Sequence, residues 1–283
     1  MNFEIIIQKF IIEITRHIYP FFELATFLGD EIVVLLLICF VYYAVDKKKG
    51  EEIAMIALSS AAINSIIKSI FARPRPFVRE PDIASAKYKE LYAGSYSFPS
   101  GHSQNAGAVY AYQFNNTNKK YFKAIYLAAL VLVPLSRMVL GVHYLSDVLA
   151  GLILGMLIAV AFPQIVKNNA KVYLALSLII IAASPALFFV SIDQDIIKAA
   201  GALSGAGLAI FIENKYIKFA PPKKQIYAFF RFAIALSVAA AARFGLKYIF
   251  DLAGGYAVLD FIRYFITTFA VVAVSFLFRY IKI

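Results

Sequence analysis

Long apolar runs follow one another along this chain, at about 31–46, 52–71, 102–117, 121–141, 144–166, 171–191, 196–213, 226–250 and 257–280, parted only by short polar breaks. Crossing a hydrocarbon layer of about 30 Å takes about 20 helical residues, so the runs have the length of membrane spans and the chain has room for roughly eight to ten. With 61% hydrophobic and 16% charged residues and a mean hydropathy of +0.74, the side chains are too apolar to hide inside one water-soluble globule. The two-residue alternation of an outer-membrane barrel is missing. The expected fold is all-α, a polytopic transmembrane helical bundle.

Residues 3–18 differ from the other runs. Glu4, Gln8, Lys9, Glu13, Arg16 and His17 fall on one helical face and Phe3, Ile7, Phe10, Ile11 and Ile14 on another, which predicts an interfacial helix or a poor first span. Charges spread through the first 20 residues do not match a cleaved secretory signal, so this segment is read as part of the mature chain. A lone cysteine, Cys39, excludes an intramolecular disulfide and a zinc cluster of cysteines.

A net charge of +11 invites a nucleic-acid reading, but the cations stand between apolar runs, where they act as topology signals and lipid-headgroup contacts. No nucleic-acid partner is expected. Lysines gather in alternate breaks: Lys47–Lys49, then Lys119, Lys120 and Lys123, then Lys167 and Lys171, then Lys215, Lys218, Lys223 and Lys224, and last Arg279 and Lys282. That side should be cytoplasmic, with the C-terminus. The stretch 72–101, the turn near 141–143, Asp193 with Asp195, and the 251–256 break fall on the other side. The 72–101 stretch is itself basic, with Arg73, Arg75, Arg79, Lys87 and Lys89, and so needs a separate explanation.

Three polar clusters lie at the ends of apolar runs on that extracytoplasmic side. Lys68 precedes Arg73-Pro74-Arg75-Pro76, where prolines stop the helix and hold the chain extended, so the guanidinium groups form a fork suited to phosphate oxygens. Alone, these read first as membrane-flanking cations. Phe98-Pro99-Ser100-Gly101-His102 opens another run, and such a helix start presents free backbone N–H groups to an anion beside the histidine. Alone, it is equally an ordinary N-cap. Ser136-Arg137 is followed by His143 and Asp147, whose spacing on a continuous helix puts them on one face. The carboxylate can then hold one imidazole nitrogen while the other attacks phosphorus; alone, the pair is equally a structural ion pair. A phosphoryl group needs cations, donors, a nucleophile and a leaving-group acid at one point, and the three clusters together supply all four.

With those residues in place, the chain resembles the type 2 phosphatidic acid phosphatases, whose signature reads KxxxxxxRP, PSGH and SRxxxxxHxxxD. Lys68 with Arg75-Pro76, Pro99 to His102, and Ser136-Arg137 with His143 and Asp147 match every fixed position. Phe27-Leu28-Gly29-Asp30-Glu31, Asp46-Lys47 and the extra C-terminal spans resemble the sphingosine-phosphate phosphatase branch. The resemblance implies a six-helix catalytic core with His143 as a nucleophile forming a phosphohistidine, Asp147 orienting it, and His102 as leaving-group acid and then base. It implies that Lys68, Arg75, Ser100, Gly101 and Arg137 hold the phosphoryl oxygens, with no metal and no cofactor. Arg73 duplicates the Arg-Pro dipeptide, and only the spacing from Lys68 selects Arg75. Arg73, Arg243 and Arg263 form a further set, for ion pairing or for a substrate headgroup or second phosphate.

The chain is expected to divide into an N-terminal helix (1–29), a catalytic membrane core (30–168) and additional spans of unassigned role (169–283). The function expected is an integral membrane lipid phosphatase, in a bacterial cytoplasmic membrane, with a lipid phosphate as its partner. Undecaprenyl diphosphate, phosphatidylglycerophosphate and phosphatidic acid are candidate substrates. A sphingoid-base phosphate, a lipid phosphotransferase, and a lipid or small-solute transporter are the alternatives; the oligomeric state stays open.

Overall fold

The computed structural model describes residues 3–166, 169–189, 193–222, 224–254 and 256–280. Lys167, Lys223 and Lys282 of the lysine alternation, the last two positions of the 171–191 run, and Gly255 lie outside the described residues. Every regular element among the described residues is helical, because in lipid a helix satisfies its own backbone hydrogen bonds. In chain order these are α1 (Phe3–Thr15), α2 (Tyr19–Ala25), α3 (Glu31–Phe40), α4 (Lys47–Phe71), the short α5 (Pro76–Arg79) and α6 (Ala86–Leu91), α7 (Gly101–Asn115), α8 (Lys120–Val139) and α9 (Leu145–Val166). Then come α10 (Ala170–Phe189), α11 (Gln194–Ile212), α12 (Gln225–Leu252), α13 (Ala257–Ala273) and α14 (Leu277–Tyr280).

Seven helices among the described residues are long and apolar enough to cross a membrane, and the pair 3–29 and 31–45, bent by 52°, adds an eighth if it counts as one span. The apolar run at 102–117 is not among them. Its helix α7 has 15 residues, about 22 Å of rise, and its first turn is the polar His102-Ser103-Gln104-Asn105. Ala106 to Tyr110 of this helix are all buried, so α7 is a core helix. Outward-facing Ile70, Leu157, Ile165, Phe229, Phe244 and Leu252 are each largely exposed; apolar surface on this scale belongs against lipid.

The chain forms two compact units, residues 1–34 with 63–161 and residues 35–62 with 162–283. The boundaries of these units fall inside α3, α4 and α9. In the first unit α7 and α9 pack backbone to backbone. A Cβ on Gly151 would lie 2.5 Å from the Ser100 carbonyl oxygen, and one on Gly155 would lie 2.2 Å from that of Gln104. Only glycine allows that approach. Near the start of α9, Phe77, Ile83, Ala84 and Tyr88 bury themselves against Leu140, Val142 and Tyr144, with Ile5 of α1 in the same cluster. The 72–101 stretch is therefore a folded cap.

The polar face of residues 3–18 is divided: Lys9, Glu13, Arg16 and His17 are exposed. Gln8 and Thr15 are buried with Ile5, while Phe3, Phe10 and Ile14 face outward. Part of the polar stripe is turned into the protein and the apolar side into lipid, the arrangement expected of a helix whose polar groups have partners inside.

In the second unit α11 lies against α10 and α13, and Thr268 Oγ1 donates to the Ala202 carbonyl at 2.9 Å. Lys47 pairs with the fully buried Glu213, and Glu51 accepts from Asn214 at 2.9 Å. Arg263 pairs with Asp260 at 2.6 Å, and both Arg263 and the exposed Arg243 lie against the Tyr264 ring.

Candidate active site

The first unit gathers the three sequence clusters. Lys68 comes from the last turn of α4, and Arg73 and Arg75 from the extended link that follows. Ser100, Gly101 and His102 start α7, Arg137 ends α8, His143 sits in the turn between α8 and α9, and Asp147 lies in the first turn of α9. The starts of α7 and α9 are tied directly, the Ser100 backbone N–H donating to the Asp147 carbonyl at 3.0 Å.

His143 and Asp147 do meet, although not on one continuous helix as their spacing suggests. Helix α9 begins only at Leu145, and the chain reaches His143 through Gly141 at φ +74°. A Cβ there would lie 2.1 Å from the Ile83 carbonyl oxygen, so both the conformation and the space call for glycine. Asp147 Oδ2 accepts from the Tyr144 N–H at 2.9 Å, capping α9, and stands 3.5 Å from His143 Nδ1. Ser97, fully buried, fills the space between them: its hydroxyl donates to Asp147 Oδ2 and lies 3.4 Å from His143 Nδ1. These contacts put a carboxylate behind Nδ1 and turn Nε2 toward the cations, where it lies 3.1 Å from Arg75 Nη1. His143 is almost wholly buried, and burial, with the charges of Arg75, Arg137 and Lys68, holds its pKa well below the ordinary histidine range. A neutral imidazole, the nucleophilic form, is therefore favoured at neutral pH.

Three cations converge here. Arg75 donates to the Ser95 carbonyl (3.0 Å), the Ser95 hydroxyl (2.8 Å) and the Val142 carbonyl (3.0 Å), and its guanidinium lies on the Tyr92 ring at 4.5 Å. Lys68 Nζ donates to the Tyr96 carbonyl at 2.8 Å. Arg137 is fully buried and lies 5.0 Å from the same Tyr92 ring. One of its nitrogens donates to Thr26 Oγ1 at 2.7 Å, while Nε and Nη2 have no hydrogen-bond partner among the described residues. Orphaned guanidinium donors in a buried site cost several kcal/mol unless an acceptor meets them. A small multivalent oxyanion is the acceptor that suits them. The charges of Lys68, Arg75 and Arg137 also bear on His102, which places both imidazoles in one electrostatic cluster.

Comparison with known proteins fits this arrangement. A family described as "PAP2 superfamily" matches residues 52–171, and one described as "PAP2 superfamily phosphatase, transmembrane extension" matches residues 197–281. The chain belongs to the PAP2 superfamily. Phosphatidylglycerophosphatase B of Bacillus subtilis is 39% identical over 34% of this chain and 47% of its own length. Mouse sphingosine-1-phosphate phosphatase 1 is 29% identical over 58% of this chain and 39% of its own, and lipid A 4'-phosphatase of Porphyromonas gingivalis is 29% identical over 44% and 57%. The matched stretches thus span about half, or less, of these relatives' lengths. No solved structure matches the chain.

Within the PAP2 unit the motif residues divide by their contacts. Ser100 caps α7, its hydroxyl accepting from the Ser103 hydroxyl (3.0 Å) and the Ser103 N–H (3.4 Å), so only its own proton is left to give. Gly101, the first residue of α7, has no acceptor for its N–H within the helix. His102 Nε2 stands 3.9 Å from Asp30 Oδ2, whose other oxygen accepts from the Ile32 N–H at 2.8 Å. Arg73 turns away from the cationic cluster: it donates to Asp147 Oδ1 at 2.7 Å, Ser146 Oγ at 2.6 Å and Glu4 Oε2 at 2.6 Å. Arg243 and Arg263 belong to the second unit.

Sequence reading did not single out Glu4, Ser97, Thr26 or Asp30 for the site. None lies in the signature, and the only trace they leave is a polar residue within or at the edge of an apolar stretch. Tyr92, outside the signature, lies against both guanidinium groups. Among the described residues, no three of His, Cys, Asp and Glu gather so as to hold a metal ion.

Proposed function

We propose that this PAP2 protein is a membrane lipid phosphatase that removes the phosphate of a lipid phosphomonoester or diphosphate through a phosphohistidine. The observation that carries this reading is the fully buried Arg137 with two unpaired nitrogens, set beside an imidazole whose Nδ1 faces a carboxylate. The phosphate oxygens would take the donors of Arg137, Arg75, Lys68 and the Ser100–Gly101 start of α7. His143 Nε2 then forms a bond to phosphorus as the P–O bond to the lipid breaks, and Asp147 stabilises the positive charge that grows on the ring. Arg75 Nη1, now beside Nε2, would shift its donation to a phosphoryl oxygen and stabilise charge there. His102, charged once the bound phosphate dianion offsets the neighbouring cations, gives its proton to the departing oxygen, then as the neutral base takes one from water as that water's oxygen attacks phosphorus and frees His143. The products are the lipid alcohol, or the monophosphate from a diphosphate, and inorganic phosphate.

Relatives named for phosphatidylglycerophosphate, sphingosine 1-phosphate and lipid A support a lipid phosphate as the substrate class. We place the site on the extracytoplasmic face, on the lysine alternation, and we assign the chemistry to the core around 30–168, with 169–283 as a membrane extension. Purified protein should release phosphate from one or more of phosphatidylglycerophosphate, phosphatidic acid, undecaprenyl diphosphate and sphingosine 1-phosphate, and His143→Ala should not. Wild-type turnover by His143→Ala would end the reading. Appearance of the phosphate on a second lipid, in place of free phosphate, would make the chain a phosphotransferase.

A further inference from the structure

Helix α1 reaches into this site with two side chains one turn apart. Glu4 Oε2 accepts from Arg73 Nη2 at 2.6 Å, and Glu4 Oε1 accepts from the Ser146 backbone N–H, in the first turn of α9, at 2.9 Å. Arg73 Nη1 in turn donates to Asp147 Oδ1 at 2.7 Å, and the guanidinium rests on the Tyr144 ring at 4.0 Å. Gln8, fully buried, donates from its one amide nitrogen to the Met138 carbonyl at 3.0 Å and to the His143 carbonyl at 3.1 Å. One helix face thus holds the turn that carries His143, the first turn of α9, and the cation that grips Asp147.

We propose that Glu4 is a positioning residue for the nucleophile, completing a chain of alternating charge from Glu4 through Arg73 and Asp147 to His143. The inference rests on the reading of His143 as nucleophile. A guanidinium between two carboxylates divides its charge and its donors between them. Without Glu4, all of the Arg73 charge falls on Asp147, whose pull on the developing imidazolium weakens. The Ser146 N–H also loses its acceptor, and Arg73 loses one of its anchors. Glu4 and Arg73 stand apart from Lys68, Arg75 and Arg137, the cations assigned to the phosphate, so the loss belongs to the chemical step and not to lipid binding.

The test uses the full chain in detergent micelles, on whichever of phosphatidic acid, phosphatidylglycerophosphate and sphingosine 1-phosphate the wild type turns over fastest. Glu4→Gln should lower kcat about tenfold, the scale of outer-shell substitutions, with KM changed less than about twofold. Glu4→Asp, which keeps the charge, should recover most of kcat. If Glu4→Gln does not fold, the same split is read on Arg73→Lys, which keeps a charge but cannot bridge two carboxylates with a planar fork. A kcat equal to wild type in the folded variant, or a Glu4→Asp enzyme no better than Glu4→Gln, overturns the inference. His143→Ala separates the two claims. If it is inactive while Glu4→Gln is unimpaired, only the role of Glu4 falls; if it is fully active, the nucleophile reading falls with it.

Discussion

Arg137 carries more of the argument than its place in a motif would suggest, because its surroundings are unbalanced. Thr26 satisfies one nitrogen, Tyr92 covers the guanidinium, and Nε and Nη2 are buried without an acceptor among the described residues. Such a group is preorganised for charge that develops on phosphoryl oxygens, and removing one oxyanion donor of this kind costs about 10²–10³ in kcat. Arg137→Ala should lose that much in kcat/KM, and Arg137→Lys should recover only part of it, since one ammonium cannot reproduce two in-plane donors. An Arg137→Ala enzyme within about threefold of wild type would show that phosphate is held elsewhere. His143 makes a second prediction at the same scale. Burial and the cations of Lys68, Arg75 and Arg137 depress its folded pKa, whereas the unfolded chain takes up a proton near pH 6.5. Stability present above that value is therefore lost as pH falls below about 6.5 toward the folded pKa. The Tm of the wild type should drop more between pH 6.5 and 5 than that of His143→Asn, and inorganic phosphate should reduce the wild-type drop by offsetting the cations. Parallel pH dependence in the two proteins would remove His143 as the source.

The elements show why motif residues so far apart in sequence meet. Helix α9 can bring Asp147 to the Ser100 N–H only because Gly151 and Gly155 let its backbone touch that of α7. Gly155→Leu should push these helices apart, destabilise the protein by roughly 1–3 kcal/mol or more, and reduce kcat beyond the loss of folded protein. Unchanged activity and Tm would mean that the contact does not set the site. The signature made this convergence legible, since residues 68, 75, 100–102, 137, 143 and 147 come from segments that any common phosphate must join. Glu4 and Gln8 were not legible. Their partners Arg73, Ser146 and His143 lie 69, 142 and 135 positions away, and a polar stripe on an N-terminal helix reads the same whether it faces headgroups or a buried neighbour. Ser97 left still less, because a serine in a loop of tyrosines and serines carries no periodicity. Helix α7 shows the same limit: an apolar run does not reveal whether lipid or protein covers it, and here protein covers most of it.

For the whole molecule, the one anomaly in the charge pattern now has a physical account. The 72–101 stretch is basic on the side where topology calls for few cations, yet four of its five cations are engaged locally. Arg73 is held by Glu4 and Asp147, Arg75 lies beside His143, Lys87 pairs with Glu23 at 3.2 Å, and Lys89 donates to the Pro81 carbonyl at 2.9 Å. Cations neutralised or fixed in a folded cap weigh little in a bias set by lysines in short loops, so the basic cap does not count against the extracytoplasmic placement proposed for the site. The orientation can be tested within the first unit. Gly94 is exposed beside the cap with open space around a would-be Cβ, and Asn118 is exposed in the lysine-rich break between α7 and α8. In a Cys39→Ser background, which removes the native thiol, Gly94→Cys in sealed right-side-out vesicles should react with a membrane-impermeant maleimide. Asn118→Cys should react only after permeabilisation. The reverse pattern would put the phosphate site in the cytosol, and reaction of both from outside would mean that α7 does not hold these breaks on opposite faces.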